Sequence, residues 1–361
     1  MPVCGAMLLR LAQAGAGAVV LARLARGRTR RPPLAAAPAA SPVSVVIPAR
    51  DEAGRIGPCL AGLAGDPDVL EVIVVDDGST DATADIARAA GARVVTSARR
   101  DDWVGKPWAL QQGLEAARGE VVVSLDADTR PRRGLAGALA AALEDADLVT
   151  ASARFTVAGW VHPAMLATLV YRFGPADAPG AAPARLVANG QVTAVRRDAL
   201  LAAGGYAAAA GHLTDDVALA RALARDGRRV VFRDGSELVD VAMTPGEWAR
   251  SIALADVTTP AWRAADVAVV WLAQGLPVLR LLSGRAGRLD LALLALRAAL
   301  LPALAGSYAR RGPGFWLSPL ADPLAAAALT RGAVRPARTW RGRTYPAGTA
   351  PRSASSAGPS P

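Results

Sequence analysis

Short apolar runs that stop abruptly at acidic residues mark the first half of the chain. Val43–Glu52 reads VSVVIPARDE, with the apolar stretch ending at Pro48. Val72–Asp81 reads VIVVDDGSTD and stops at Asp76-Asp77, ahead of Gly78 and a Ser/Thr/Asp series suited to opening a helix. Val121–Asp128 reads VVVSLDAD and ends in Asp126 and Asp128. Helical patterns fill the intervals near 53–64, 80–90 and 107–117. Strands alternating with helices predict an α/β domain with a mostly parallel, doubly wound sheet. In that architecture the loops at the carboxyl ends of the strands converge on one crevice.

The acids give that crevice a chemistry. On an extended backbone, residues i and i+2 share a face, so Asp126 and Asp128 would present their carboxylates together. Two hard oxygen donors are what Mg²⁺ or Mn²⁺ needs when it must also hold a diphosphate. An isolated D-x-D equally serves turns and helix caps; it is the second acid cluster, at Asp76-Asp77, that favours a ligand. Further on, HLTDDVALARAL predicts a helix with Thr214 as N-cap and an apolar face at Val217, Leu219, Ala220 and Leu223. Asp215 and Asp216 fall in its first turn, where acids also favour the helix dipole.

Composition sharpens two positions. The formal charge is +10, and it is almost entirely arginine: 40 Arg against a single lysine, Lys106, while Asn189 is the only asparagine. In a chain so biased, both residues read as retained for their own side chains, and a lysine is a compact point charge suited to a phosphate. The basic clusters at 23–31, 280–288, 309–311 and 331–343 each flank an apolar stretch. That placement suits membrane edges and anionic lipid. With no zinc-finger spacing and no basic stripe interleaved with aromatics, nucleic acid is not an expected partner. Cys4 and Cys59 offer neither metal spacing nor a disulfide framework.

The expected organisation is an apolar anchor at 1–31, a Pro/Ala linker at 32–42, a catalytic domain at 43–250, apolar membrane-associated helices at 251–345 and a disordered tail at 346–361. Arginines follow Met7–Leu24, so its C-terminal end is expected on the cytoplasmic side. Val267–Leu282, Leu289–Ala305 and Phe315–Leu329 are further apolar runs. Each is near or below the roughly twenty residues needed to span a bilayer, so buried soluble helices are the alternative.

VSVVIPARDE, VIVVDDGSTD, GKPWAL, VSLDADTRP and TDDVALA, in this order over roughly residues 42–250, resemble the family 2 glycosyltransferases of GT-A fold. The GKPWAL and NGQ segments and the apolar C-terminal part are most similar to membrane-associated transferases of carotenoid and hopanoid gene neighbourhoods. The resemblance implies a GT-A fold, Rossmann-like, with N- and C-terminal apolar membrane-associated helices. It implies a nucleotide-sugar donor and Mn²⁺ or Mg²⁺, with Asp128 on the metal and Asp126 facing metal and donor. Asp76, then Asp77, would meet the nucleobase, and a carboxylate can accept from a uracil N–H. Pro48, Arg50 and Glu52 would line the same pocket, Lys106 would reach phosphate or ribose, and Asn189 would lie near the donor sugar or acceptor. The acidic pair implies a general base, Asp216 before Asp215, and single displacement with inversion. Many relatives carry Asn where this chain has Asp51. The Q-x-x-R-W segment of processive synthases is missing, so transfer of a single sugar is expected. The acceptor implied is a lipid-soluble hydroxyl at the cell membrane, with the catalytic domain cytoplasmic. A polyprenyl-phosphate acceptor, or a non-catalytic scaffold retaining the fold, remain alternatives.

Overall fold

The structure, a computed structural model, describes residues 2–98, 100–157, 159–340 and 343–345; the tail 346–361 lies outside them. The chain forms two compact units. One comprises residues 34–151, 188–231 and the C-terminal residues from Arg338; the other comprises residues 1–33, 152–187 and 232–337.

The first unit is the α/β domain. Its strands are β1 (Val43–Ala49), β2 (Val69–Asp76), β3 (Arg93–Thr96), β4 (Val121–Leu125), β5 (Leu148–Ser152), β6 (Val192–Arg196) and the start of β7 (Val230–Asp234), in spatial order β3-β2-β1-β4-β6-β5-β7. Helices α1 (Ile56–Leu63), α2 (Thr83–Ala89) and α3 (Gly105–Ala116) fill the intervals where helical patterns were expected. Every residue of β1 is buried, as suits a parallel strand covered on both faces. The α1 face buries Ile56, Cys59, Leu60 and Leu63, so the Cys59 thiol is core packing. Close approach of α3 depends on Gly113: a Cβ there would lie 2.2 Å from Val46 Cγ1.

Register fixes the site. β1 runs parallel to β2 and β4, with Ala49 opposite Asp76. β6 runs antiparallel to both β4 and β5, with Val192 opposite Leu125. The carboxyl ends of β1, β2 and β4 and the amino end of β6 therefore share one edge of the sheet.

The second unit is mostly helical. Its members include Pro2–Ala25, Val161–Phe173, Pro260–Val270, Leu276–Leu282, Arg288–Ala299 and Asp322–Val334. A π turn at Trp271–Gly275 joins two of them into a continuous helix, next to Pro277, which has no N–H to return to the preceding turn. Among the described residues, Gly5–Thr29 and Pro260–Leu282 are long and apolar enough to cross a membrane. The other two apolar runs do not form helices of that length. Leu289–Ala305 breaks after Ala299 and Phe315–Leu329 is split into short pieces, with Pro302, Pro319 and Pro323 in the first turns of the segments that follow the breaks. Buried carboxylates anchor polar contacts across this unit. Arg172 and Arg185 meet Asp266, Arg297 meets Asp322, and Gln13 with Arg280 meets Asp290.

Candidate active site

At the shared edge, β4 ends at Leu125, one residue before the first acid. Thr129 N and Thr129 Oγ1 both donate to the Asp126 carbonyl, at 3.0 and 2.8 Å, and Ala127 is buried. A closed turn therefore presents Asp126 and Asp128, in place of the extended backbone expected from their spacing. Asp126 N donates to the Gln191 carbonyl at 3.1 Å, tying this turn to the loop before β6.

Three segments then converge. Lys106, in the first turn of α3, places Nζ 2.8 Å from Asp126 Oδ1. Gly190 N donates to Asp216 Oδ2 at 2.7 Å. Asp215 and Asp216 open the helix α6 (Asp215–Arg225), whose remaining residues bury Val217, Leu219, Ala220 and Leu223 as the apolar pattern required; α4 (Leu135–Ala142) and α5 (Arg197–Ala202) precede it in this unit. Gly190 also makes room, since a Cβ there would stand 3.1 Å from Lys106 Nζ and 3.1 Å from Asp216 Cβ.

The electrostatics follow from this geometry. Burial opposes a charge on Lys106, but Asp126 and Asp215 outweigh it and hold the ammonium above the usual lysine range. Burial pushes Asp215 up to about 7 despite the lysine, with Asp216 and Asp126 adding to the rise. Burial also raises Asp216, while Lys106 and the amides of Val217 and Gly190 pull it back. Asp215 is buried and Asp216 is less deeply buried, so Asp216 is the more accessible carboxylate of the pair.

Asn189 points into the fold. Its Nδ2 donates to the Ala151 carbonyl at 2.8 Å, and its backbone exchanges hydrogen bonds with Thr150 Oγ1. The side chain holds the 189–191 loop in register with β5.

The ends of β1 and β2 build the other half of the edge. Pro48 is buried in β1 opposite Val75. Asp76 is buried, and its Oδ1 accepts from Ser79 N at 3.1 Å. Asp77 N donates to the Ala49 carbonyl. Arg50 Nη1 donates to the Asp77 carbonyl at 2.6 Å. Glu52 N donates to Thr83 Oγ1, and its carboxylate meets Arg55 at 2.8 Å. Asp51 adopts φ +52°, a left-handed conformation that short polar side chains tolerate, and its Oδ1 accepts from Thr80 N. Asn would serve that turn as well. The structure thus brings Lys106, Asp126 and the Asp215-Asp216 pair together, and assigns Asn189, Asp51 and Glu52 local structural bonds.

Among the described residues, no group of three or more His, Cys, Asp or Glu could hold a metal ion. Asp126 and Asp128 supply two hard oxygen donors, the complement that suits Mg²⁺ or Mn²⁺ when substrate phosphates complete its shell. The donor set fits an ion shared with a diphosphate.

Sequence reasoning placed a tight turn at Gly190 but did not anticipate its bond to Asp216, nor the position of Arg343. Arg343 Nη1 lies 2.7 and 2.9 Å from the two carboxylate oxygens of Asp77. It belongs to a hairpin of two-residue strands, Thr339–Trp340 and Arg343–Thr344, too short to leave a periodic signal.

Residues 44–199 match the family described as Glycosyl transferase family 2. The 4,4'-diaponeurosporenoate glycosyltransferase of Staphylococcus aureus (strain USA300) is 41% identical over 88 residues, 24% of this chain and 24% of that protein. The glucosyl-3-phosphoglycerate synthase of Mycolicibacterium paratuberculosis is 45% identical over 101 residues, 26% of this chain and 31% of that protein. The chain thus spans less than a third of the length of either relative. The mannosyltransferase PcManGT from Pyrobaculum calidifontis, solved with GDP-Man and Mn²⁺, has a TM-score of 0.55 at 23% identity, covering 91% of this chain and 98% of that one. The α/β fold with its mostly parallel sheet is of the GT-A type.

Proposed function

From a chain whose residues 44–199 match the glycosyl transferase family 2, we propose an inverting, metal-dependent transferase that moves one sugar from a nucleotide-sugar, uridine-linked by preference, to a lipid-soluble hydroxyl at the membrane. The observation that carries this reading is the convergence of Lys106, Asp126 and the Gly190-bound Asp216 at one sheet edge. It supports a donor diphosphate on one side and a base on the other.

Asp76 accepts from the nucleobase through the oxygen not engaged by Ser79. Lys106 neutralises negative charge near the diphosphate. Asp128, with Asp126, would hold Mn²⁺ or Mg²⁺, which when bound stabilises the charge growing on the leaving diphosphate. Asp216 removes the acceptor's hydroxyl proton, with its carboxylate oriented by Gly190 N and Val217 N and its basicity raised by burial. Asp215, more deeply buried, is disfavoured as a carboxylate by burial and by the Asp216 charge. Asn189 is a positioning residue for the loop that carries Gly190. The two long apolar helices and the arginines beside them support action at a membrane, with the α/β domain on the cytoplasmic face. The diaponeurosporenoate enzyme gives a lipid acceptor a precedent among relatives.

The test is nucleoside diphosphate release from a panel of nucleotide-sugars, with Mn²⁺, Mg²⁺ or chelator and a membrane lipid extract as acceptor, comparing wild type with Asp128→Ala. Metal-dependent release from one donor, lost in the variant, is expected. Failure of every nucleotide-sugar to bind would overturn the donor site. Asp216→Asn retaining most activity would point instead to a polyprenyl-phosphate acceptor, which needs less base catalysis.

A further inference from the structure

The C-terminal hairpin lies on the nucleotide half of the candidate site, although its sequence reads as a basic tail. Tyr345 N donates to the Arg338 carbonyl at 2.8 Å, which closes the hairpin onto itself. Arg343 bonds the Asp77 carboxylate and also reaches the Asp77 carbonyl at 3.2 Å. Two residues further on, the Tyr345 hydroxyl accepts from Gly105 N at 3.2 Å, at the residue preceding Lys106. Three residues therefore run from the end of β2, where the nucleobase would sit, to the start of α3, where the diphosphate would sit.

The local charge argues for a ligand. Arg343 and Arg50 both approach Gly78: a Cβ there would lie 3.6 Å from Arg343 Nη2 and 3.7 Å from Arg50 Nη1. Gly78 takes φ +70°, so a side chain would be strained as well as crowded. Both guanidiniums address Asp77, at 2.7 and 4.0 Å, and Arg50 is also within 3.9 Å of Asp51. Arg343 is the less sheltered of the two, with 27% of its side chain exposed. A guanidinium fixed by one carboxylate and still open to solvent is preorganised to meet an anionic or hydrogen-bonding ligand.

We propose that Arg343–Tyr345 forms a strap over the bound nucleotide, with Arg343 a donor-binding residue and Tyr345 a positioning residue that anchors the strap at Gly105. The proposal rests on the nucleotide-donor reading above. It assigns to the hairpin a share of affinity for the nucleoside diphosphate itself, independent of sugar and acceptor.

Calorimetric titration of the full-length protein with UDP and with GDP, in Mn²⁺, tests this. The proteins compared are wild type, Arg343→Ala, Arg343→Lys, Tyr345→Phe and Asp76→Asn, each checked by thermal unfolding. Arg343→Ala is expected to weaken the nucleotide that binds wild type by roughly tenfold, about the loss of one charge-assisted hydrogen bond. Arg343→Lys should restore part of that loss, and Tyr345→Phe should weaken binding less than Arg343→Ala. Unchanged affinity in Arg343→Ala, with Asp76→Asn impaired, would overturn the strap and leave the donor site standing. Tighter binding in Arg343→Ala would also overturn it, since the hairpin would then be a plug that the nucleotide must displace. If neither UDP nor GDP binds wild type, the donor reading itself fails and the strap falls with it.

Discussion

Asp216, the proposed base, is held where its charge is costly. Replacing it with Asn keeps the shape and leaves one oxygen to accept from Gly190 N or Val217 N, but removes the proton acceptor. Turnover is expected to fall by at least about 10²-fold, the usual worth of a positioned general base, with nucleotide affinity unchanged. Steady-state kinetics alongside calorimetry separate the two. The Asp215 carboxyl has a higher pKa in the folded chain, about 7, than its ordinary value of 3.8, so folding favours its protonated form. Its contribution to stability is therefore full below the ordinary value and is lost as pH rises through the folded one. Asp215→Asn should flatten the stability profile between about pH 4 and 7, read from urea midpoints. Gly190→Ala tests the packing: its Cβ would press on Lys106 Nζ and Asp216 Cβ, and displacing either by a fraction of an ångström should cost up to about 10² in turnover. A fall of less than twofold would mean that the cluster has slack. The acids of this cluster were legible because strand ends and helix starts carry sequence signals. Gly190's role was not legible, because a hydrogen bond from a glycine amide to a residue 26 positions away leaves no local trace. Asn189 was noticed for its rarity, yet rarity cannot distinguish a side chain facing a ligand from one holding a loop.

At the scale of elements, apolar runs ending in acids gave the strands β1, β2 and β4, and the intervening periodicity gave α1 to α3. The strand β6 reads from the sequence as a short strand, Val192–Val195, after a tight turn at Gly190, but its reversal does not. Its direction depends on pairing with β4 and β5, which no window of sequence contains. The same holds for the hairpin carrying Arg343. The seat of α3 on the sheet is a cleaner test of element packing. Gly113→Ala would put a methyl 2.2 Å from Val46 Cγ1, so the helix must lift or the strand must shift. Overpacking of this kind costs about 1–3 kcal/mol. The denaturation midpoint should fall accordingly, while an unchanged midpoint would show that α3 moves freely on the sheet. Because α3 carries Lys106 in its first turn, a loss of donor affinity should accompany the loss of stability.

At the scale of the whole chain, apolar composition alone did not separate buried helices from helices that meet lipid. Prolines broke two of the runs. The surviving two are only 22% and 39% buried over their most apolar windows, which leaves much of their surface for another apolar phase. On the first of them Met7, Leu8 and Leu11 are each more than half exposed, and Arg23 to Arg31 follow. Apolar side chains in water at this density are costly, at about 25 cal/mol per Å², and an adjoining basic cluster adds attraction to anionic lipid. The full chain is therefore expected to sediment with membranes and to resist extraction by high salt. Met7→Asp, Leu8→Asp and Leu11→Asp in combination should shift it towards the soluble fraction, because each puts a charge on the exposed apolar face of this helix, and a charge within a membrane helix costs up to roughly 3 kcal/mol. The α/β unit has its own sheet and core, so the soluble variant should still bind nucleotide. A variant that stays with membranes would assign the anchoring to Pro260–Leu282, and one that loses nucleotide binding would mean that the first helix also supports the fold.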